Sequence, residues 1–120
     1  FANAELQNDR EIVLSAVKNY GAALQYTNAE LKNDKEIVMA AIENDPANAL
    51  QFASKELQND REVAMYAIQK HSWALRFIGE DLKNDRELVI PALINHPDLI
   101  MYVDINNDIQ NDPRLLELNS

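Results

Sequence analysis

LQNDREIVLSAV at residues 6–17 is the stretch that decides the fold, because the chain repeats it four more times in altered form. The later copies are LKNDKEIVMAAI at 31–42, LQNDREVAMYAI at 57–68, LKNDRELVIPAL at 82–93 and the shorter IQNDPRLLEL at 109–118. The leading Leu or Ile of each copy follows the previous one by 25 to 27 residues. A period of about 20 to 50 residues is the signature of repeat proteins, whose units bury their apolar faces only when stacked.

Each copy carries Asn-Asp directly before an apolar run, or Asn-Asp-Pro in the fifth, which indicates the start of a helix. If Asn8 is the N-cap, Glu11 falls at the third helical position and completes a capping box. If Asp9 is the N-cap, Arg10 is the first helical residue, and the fifth copy has Pro113 at that position, where helices tolerate proline best. The sequence leaves both alternatives open. The candidate capping residues are Asn8, Asp9, Asn33, Asp34, Asn59, Asp60, Asn84, Asp85 and Asp112.

Two helices are predicted in each repeat. The first runs for about 11 residues with a wide apolar stripe, as in a helix that packs against neighbours on more than one side. In the first copy Asn19-Tyr20-Gly21 ends it, and a second, shorter helix is predicted over 22–31. The residues predicted to face inward from the second helix are Leu24, Tyr26 or Thr27, and Leu31, with the counterparts Leu50, Phe52, Leu75, Phe77, Ile100 and Tyr102.

The predicted fold class is therefore all-α, an α-solenoid of about four and a half stacked short helical hairpins. The repeats are 6–30, 31–56, 57–81, 82–108 and a partial 109–120. Residues 1–5 read as the tail of a preceding repeat, so we expect an excerpt of a longer polypeptide. A coiled coil is the alternative, and the Gly, Pro or Ser at every turn argues against it. Pro91, inside the fourth long helix, predicts a kink that bends the stack.

The repeated motif resembles a known family. LKNDKEIVMAAIEND at 31–45 and ALQFASKEL at 49–57 are similar to the short helical repeats called domain of unknown function 4116, and the resemblance extends over residues 1 to about 97. Such repeats resemble parts of larger proteins from giant viruses and from bacteria that live in amoebae or other hosts. The resemblance is thus compatible with a host-directed effector, and it implies no activity and no functional residues.

Composition excludes several classes of function. The chain has no cysteine, which rules out a disulfide framework, a zinc finger and a thiol nucleophile. Its formal net charge of −9 disfavours nucleic-acid binding, because an acidic surface repels phosphate. No apolar run approaches the roughly 18 residues of a membrane span. With two glycines and no Ser-His pairing at a recognisable spacing, we expect no enzyme activity and no cofactor, in a soluble protein of cytoplasmic-type composition.

Two patterns suggest metal ligands and neither satisfies the geometry. His71 and His96 share one repeat position, but stacked helices lie about 8–10 Å apart, too far for both imidazoles to reach one zinc ion. The stretch 104–115 has oxygen ligands at alternate positions like a calcium loop, yet Ile109 stands where glycine is needed and Leu115 where a bidentate Glu is needed. We therefore predict no metal site.

The third repeat differs from the others and gives the candidate binding residues. It alone carries Tyr66, Trp73 and Arg76, residue types that dominate binding hot spots, with His71 beside them. The alternative is that Trp73 only covers Phe77 and that Arg76 lies along an acidic surface. We predict a protein-binding or scaffolding segment whose partner, of unknown identity, presents a basic surface. The other prediction is a structural spacer for a domain elsewhere in the parent chain, and the sequence does not give the oligomeric state.

Overall fold

The computed structural model describes residues 9–103 and 107–118, and these residues are mostly helical, with no strand among them. Four helices of ten residues recur at the repeat period: α1 (Arg10–Asn19), α2 (Lys35–Asn44), α3 (Arg61–Lys70) and α4 (Arg86–Asn95). A fifth, α5 (Pro113–Leu118), is shorter. The prediction of an all-helical repeat protein is confirmed at this level.

The segments between these helices are short and helical. Four are 3₁₀ segments, Gly21–Tyr26, Ala49–Phe52, Ser72–Phe77 and Pro97–Tyr102. A further helical turn then leads into each following long helix: Ala29–Lys32, Lys55–Gln58, Glu80–Leu82 and Asn107–Gln110.

The long helices pack side by side in chain order. Each one contacts the next, from α1 to α5, and the 3₁₀ segments also contact one another in sequence along one edge. The described chain is elongated, with extents of 55 × 22 × 19 Å. A ten-residue helix is about 15 Å long, so the helices lie across the short dimension and stack along the long one. A single apolar core runs through the stack, formed by fully buried residues such as Val13, Val17, Ile37, Ile42, Leu50, Val63, Leu75, Leu88 and Leu93.

The predicted second helix over 22–31 is wrong in detail, because the chain breaks after the 3₁₀ segment. Thr27 and Asn28 are extended, with φ/ψ of −90°/171° and −78°/171°. Asn28 then starts a new turn, and its Oδ1 accepts the N–H of Leu31 at 2.8 Å. Ser54 does the same for Leu57 at 3.1 Å, and Gly79 occupies this position in the third repeat. Each break is therefore a helix start, and in the first two repeats a polar side chain caps the new turn.

The structure decides one alternative among the residues predicted to face inward and contradicts one prediction. Of the Tyr26 or Thr27 alternatives, Thr27 is buried and Tyr26 is 53% exposed. Ile100 is 54% exposed, and Leu99 is buried in its place. The first and third 3₁₀ segments pack against the long helix that follows them, α2 and α4, whereas the fourth segment, which carries Ile100, makes few contacts with the described part of α5. Pro91 does not interrupt α4, which is ten residues long, as are the other three long helices.

The structure decides between the two capping alternatives in favour of aspartate. Asp9, Asp34, Asp60 and Asp85 are the N-caps of α1 to α4, and each side chain accepts a backbone N–H of the first turn. Asp112 likewise accepts the N–H of Arg114 at 2.9 Å. Asn8 lies outside the described residues.

The other asparagines are not N-caps of the long helices, which corrects the capping prediction for Asn33, Asn59 and Asn84. Asn33 and Asn59 end the short turns that precede α2 and α3, and the side chain of each accepts a hydrogen bond from the end of its own repeat. The Ser54 hydroxyl donates to Asn33 Oδ1 at 2.6 Å, and the N–H of Asp81 donates to Asn59 Oδ1 at 3.1 Å. Asn84 is exposed and caps no helix in the described chain.

Candidate interaction surface

Trp73 and Arg76 lie together on the third 3₁₀ segment, and both are half-buried. The Arg76 guanidinium lies over two rings, 5.6 Å from the centroid of Trp73 and 4.5 Å from that of Phe77. Its Nε donates to the Trp73 carbonyl at 2.9 Å, and its Nη2 donates to the carbonyl of Ala47 at 3.1 Å in the preceding repeat. Arg76 is thus held by aromatic stacking and by hydrogen bonds, which orients both side chains.

Tyr66 belongs to a different surface. Its hydroxyl donates to the Glu43 carboxylate, and the Lys70 ammonium lies 4.9 Å from its ring and 3.2 Å from Glu43. Tyr66 and Glu43 line, together with Lys18 and Asn44, an open groove of about 540 Å³ on the long helices. Within the described chain, Tyr66 contacts neither Trp73 nor Arg76, so the structure does not bring the three predicted residues together.

His71 has a backbone role at the turn between α3 and the 3₁₀ segment. It is exposed, and its Nδ1 accepts the N–H of Trp73 at 3.3 Å. His96, one repeat later, instead packs its ring 5.9 Å from that of Trp73. Among the residues with described coordinates, no three His, Cys, Asp or Glu side chains are placed to share a metal ion. Ser72, next to His71, is buried and accepts a hydrogen bond from Asn95 at 3.3 Å.

A row of aromatic residues along the stacked 3₁₀ segments extends this cluster over four repeats. We call it the aromatic stripe and define it as Tyr26, Phe52, Trp73, Arg76, Phe77 and Tyr102. Tyr26 is exposed and the others are half-buried. Tyr102 meets the Trp73 ring edge-on, with centroids 6.4 Å apart and planes at 71°. The sequence pattern predicts inward-facing positions for Tyr26 or Thr27, Phe52, Phe77 and Tyr102, and the shared position of these aromatics in each repeat is the signal that indicates a row.

Most of the stripe is uncharged. Arg76 is its one cation, and the matching positions in the other repeats hold Gln25, Gln51 and Met101. Asp98 is exposed at the position that Trp73 occupies one repeat earlier, and it has no ion-pair partner in the described part of the chain. The stripe therefore offers apolar rings with one carboxylate beside them.

The acidic residues concentrate instead at the N-terminal ends of the long helices, where they form an acid–base ladder. The ladder consists of cations at the start of each long helix, each paired with the capping Asp of the next. Its rungs are Arg10 Nε–Asp34 Oδ2 at 2.8 Å, Lys35 Nζ–Asp60 Oδ2 at 3.1 Å, Arg61 Nε–Asp85 Oδ2 at 2.8 Å and Arg86 Nη2–Asp112 Oδ2 at 2.8 Å. The N-terminal ends of adjacent long helices carry the positive ends of the helix dipoles, and these ends lie side by side and repel each other. The capping carboxylates offset this repulsion.

The ladder changes the acidity of its carboxyl groups. The hydrogen bond from Arg10 lowers the pKa of Asp34 below its ordinary value of 3.8, and Arg61 lowers the pKa of Asp85 in the same way. Hydrogen bonds from Arg114 and Arg86 lower the pKa of Asp112 further. Most of the chain's recurring charge is thus committed to contacts between repeats.

Comparison with known families gives the chain its classification. A family model described as a domain of unknown function (DUF4116) matches residues 1–28, 9–58, 47–81 and 60–110. These overlapping matches cover most of the chain and confirm the resemblance. The chain belongs to this family. The DUF4116 matches extend over every residue of the aromatic stripe and over the first three rungs of the ladder.

No curated protein and no solved structure matches the DUF4116 chain. In the described residues, none of its helices has both the length and the apolar character needed to cross a bilayer.

Proposed function

We propose that this chain is a segment of an α-solenoid and works as a non-catalytic protein-binding module whose binding face is the aromatic stripe. The stacked helices support the solenoid architecture, because each long helix contacts the next in chain order. The single observation that carries the binding role is the stripe itself, a row of aromatic side chains continuing through four repeats on an elongated scaffold. Aromatic residues and Arg at the centre of an uncharged patch are typical of hot spots.

The partner is expected to present a neutral or basic contact surface. Asp98 is exposed beside the stripe, and the chain as a whole carries a net charge of −9, so an acidic partner would be repelled. Tyr66 is not part of this face, because its contacts lie on α2 and α3, whereas His71 lies at the edge of the face and its Nδ1 accepts the backbone N–H of Trp73. The host-directed setting implied by the family resemblance stays a prediction.

A photo-cross-linking experiment tests the proposal. A benzoylphenylalanine is placed at Tyr26, which lies on the stripe, or at Ile12, which is 40% exposed on α1 and serves as the matched control. In a lysate of the organism that makes the protein, we expect a cross-linked protein from Tyr26 that is absent from Ile12. The purified candidate must then bind the unmodified chain and lose most of its affinity for a Tyr102→Leu variant. Identical cross-links from both positions would refute the binding role.

A structural spacer is the second candidate, and the acid–base ladder favours it. The ladder joins every pair of adjacent long helices, which stiffens a stack 55 Å long. If the chain is a spacer, benzoylphenylalanine at Tyr26 should cross-link the same proteins as benzoylphenylalanine at Ile12. The same experiment therefore separates the two roles.

A further inference from the structure

We infer that the aromatic stripe recognises a proline-rich segment in the polyproline II conformation, with a basic residue beside its apolar positions. This inference rests on the proposed protein-binding function and names the class of ligand. It follows from three properties of the stripe: its spacing, its free hydrogen-bond donors and its charge.

The spacing of the stripe follows from the dimensions of the stack. Five long helices lie side by side within 55 Å, which leaves at most about 11 Å between neighbours once about 10 Å is allowed for the width of one helix, and packed helices generally lie about 8–10 Å apart. Polyproline II has three residues per turn and returns to the same face about every 9.3 Å. A β-strand presents alternate residues, about 7 or 13 Å apart, and does not match this interval. An α-helix with a seven-residue repeat, at about 10.5 Å, also matches.

Hydrogen-bond donors on the stripe distinguish between the two remaining conformations. The indole N–H of Trp73 and the hydroxyl groups of Tyr26 and Tyr102 donate to no group of the described chain. A ligand helix uses its own backbone carbonyls in internal hydrogen bonds, whereas polyproline II has none and leaves its carbonyls free to accept. Donors spread over an aromatic row therefore match polyproline II, which docks on aromatic-lined surfaces.

The central rings of the stripe suit a proline ring. The Trp73 indole is held by three neighbours: the Tyr102 ring meets it edge-on with centroids 6.4 Å apart, the His96 ring lies 5.9 Å away, and the Arg76 guanidinium lies 5.6 Å from its centroid. These contacts fix the half-buried indole, so that it offers a rigid aromatic surface on which a proline ring can pack. Polyproline II loses little conformational entropy on binding because proline already restricts its backbone.

Charge selects the residues that flank the prolines. Asp98 is exposed at the same repeat position as Trp73, one repeat further along, and it has no cationic partner in the described chain. An Arg or Lys next to the apolar face of the ligand would pair with Asp98. An acidic ligand would be repelled by Asp98 and by the net charge of −9.

The first test is a titration with a defined probe, an acetylated and amidated peptide of one Arg followed by four Pro-Pro-Leu triplets. Trp73 is the single tryptophan of the chain, so its fluorescence reports binding at the stripe. We expect saturable binding that weakens about tenfold or more in Tyr102→Leu and is unchanged in Tyr66→Leu, the matched change on the other surface. Asp98→Asn should weaken the probe with Arg but not the same probe without it. A peptide of equal composition with shuffled leucines should bind far more weakly.

The second test is selection of random 15-residue peptides on the wild-type chain, with counter-selection on the Tyr102→Leu variant. Enrichment of prolines with an apolar residue at every third position supports the inference. Enrichment of seven-residue helical patterns overturns it while leaving the binding function intact. Failure to enrich any peptide that depends on Tyr102 also overturns the inference, as does equal binding of the shuffled probe. In either case the cross-linking result at Tyr26 decides separately whether the stripe binds proteins.

Discussion

Asp85 has two roles that substitution can separate, and it provides the sharpest test of how the repeats are joined. Its Oδ1 accepts the N–H of Glu87 at 3.0 Å and caps α4, while its Oδ2 pairs with Arg61 Nε at 2.8 Å. Asp85→Asn keeps an oxygen for the cap and removes the charge. Asp85→Ala removes both.

The expected losses follow from the exposure of the two groups. The Arg61 side chain is 52% exposed, so the ion pair contributes about 0.5 kcal/mol, as exposed pairs do. An N-cap bond contributes about 1 kcal/mol. Asp85→Asn should therefore lower the free energy of unfolding by about 0.5 kcal/mol and Asp85→Ala by about 1.5 kcal/mol. For a chain of 120 residues these losses correspond to melting temperatures about 2 °C and 6 °C lower.

Salt dependence distinguishes the two contributions. Urea unfolding followed by circular dichroism is measured at 20 mM and at 1 M sodium chloride, with Arg61→Met as the matched variant on the other side of the pair. We expect the difference between wild type and Asp85→Asn to shrink in high salt, because exposed ion pairs are screened. The difference between the Asn and Ala variants should stay. Equal losses for Asn and Ala at both salt concentrations would show that Asp85 does not act as a cap.

Three other changes test the fold. Pro91→Ala should raise the free energy of unfolding by about 1–3 kcal/mol in a urea titration, because Pro91 is exposed inside α4 and lacks an N–H. Gly79→Val should lower it by about 1 kcal/mol, since a Cβ there would lie 1.7 Å from Asn59 Oδ1 and must displace the Asn59 side chain without any new hydrogen bond. Gly79→Ser displaces Asn59 as well, but its hydroxyl can cap the turn and donate to Asn59 as Ser54 does for Leu57 and Asn33, so it should be within about 0.5 kcal/mol of wild type. The free energy of unfolding should fall as pH drops from about 5 to 2, because Asp34 and Asp85 have lowered pKa values and stabilise the fold only while ionised. A smaller fall in Arg61→Met would support this assignment, and an equal fall would contradict it.

The repeat period and the long helices could be predicted because both depend on local signals. An Asn-Asp pair before an apolar run marks a helix start wherever it occurs, and the structure places α1 to α4 at these four signals. The choice between Asn33 and Asp34 as the cap could not be made from the sequence. It depends on where the preceding turn ends and on the hydroxyl of Ser54, which donates to the Asn33 side chain from 21 residues further along the chain.

Neither the break at Thr27 nor the contacts between repeats could be predicted from the sequence. Asn28 is an N-cap residue type, but it lies in a stretch whose pattern predicts one continuous helix. The pairing of Arg10 with Asp34 joins residues 24 apart in sequence and needs the stack to be known. The aromatic stripe was missed for a related reason: Phe52 and Phe77 pack on the core with one side and line the surface with the other.

The acid–base ladder also affects how such proteins change length in evolution. One short motif carries both halves of a joint: in the third repeat, Arg61 is the donor to the following repeat and Asp60 is the acceptor for Lys35 of the preceding one. A gene duplication that inserts a whole unit of about 25 codons thus supplies its own connections on both sides, and the older joints are unchanged. Relatives should therefore differ by whole repeats, each lengthening the stack by about 10 Å and extending the row of aromatic rings by one step.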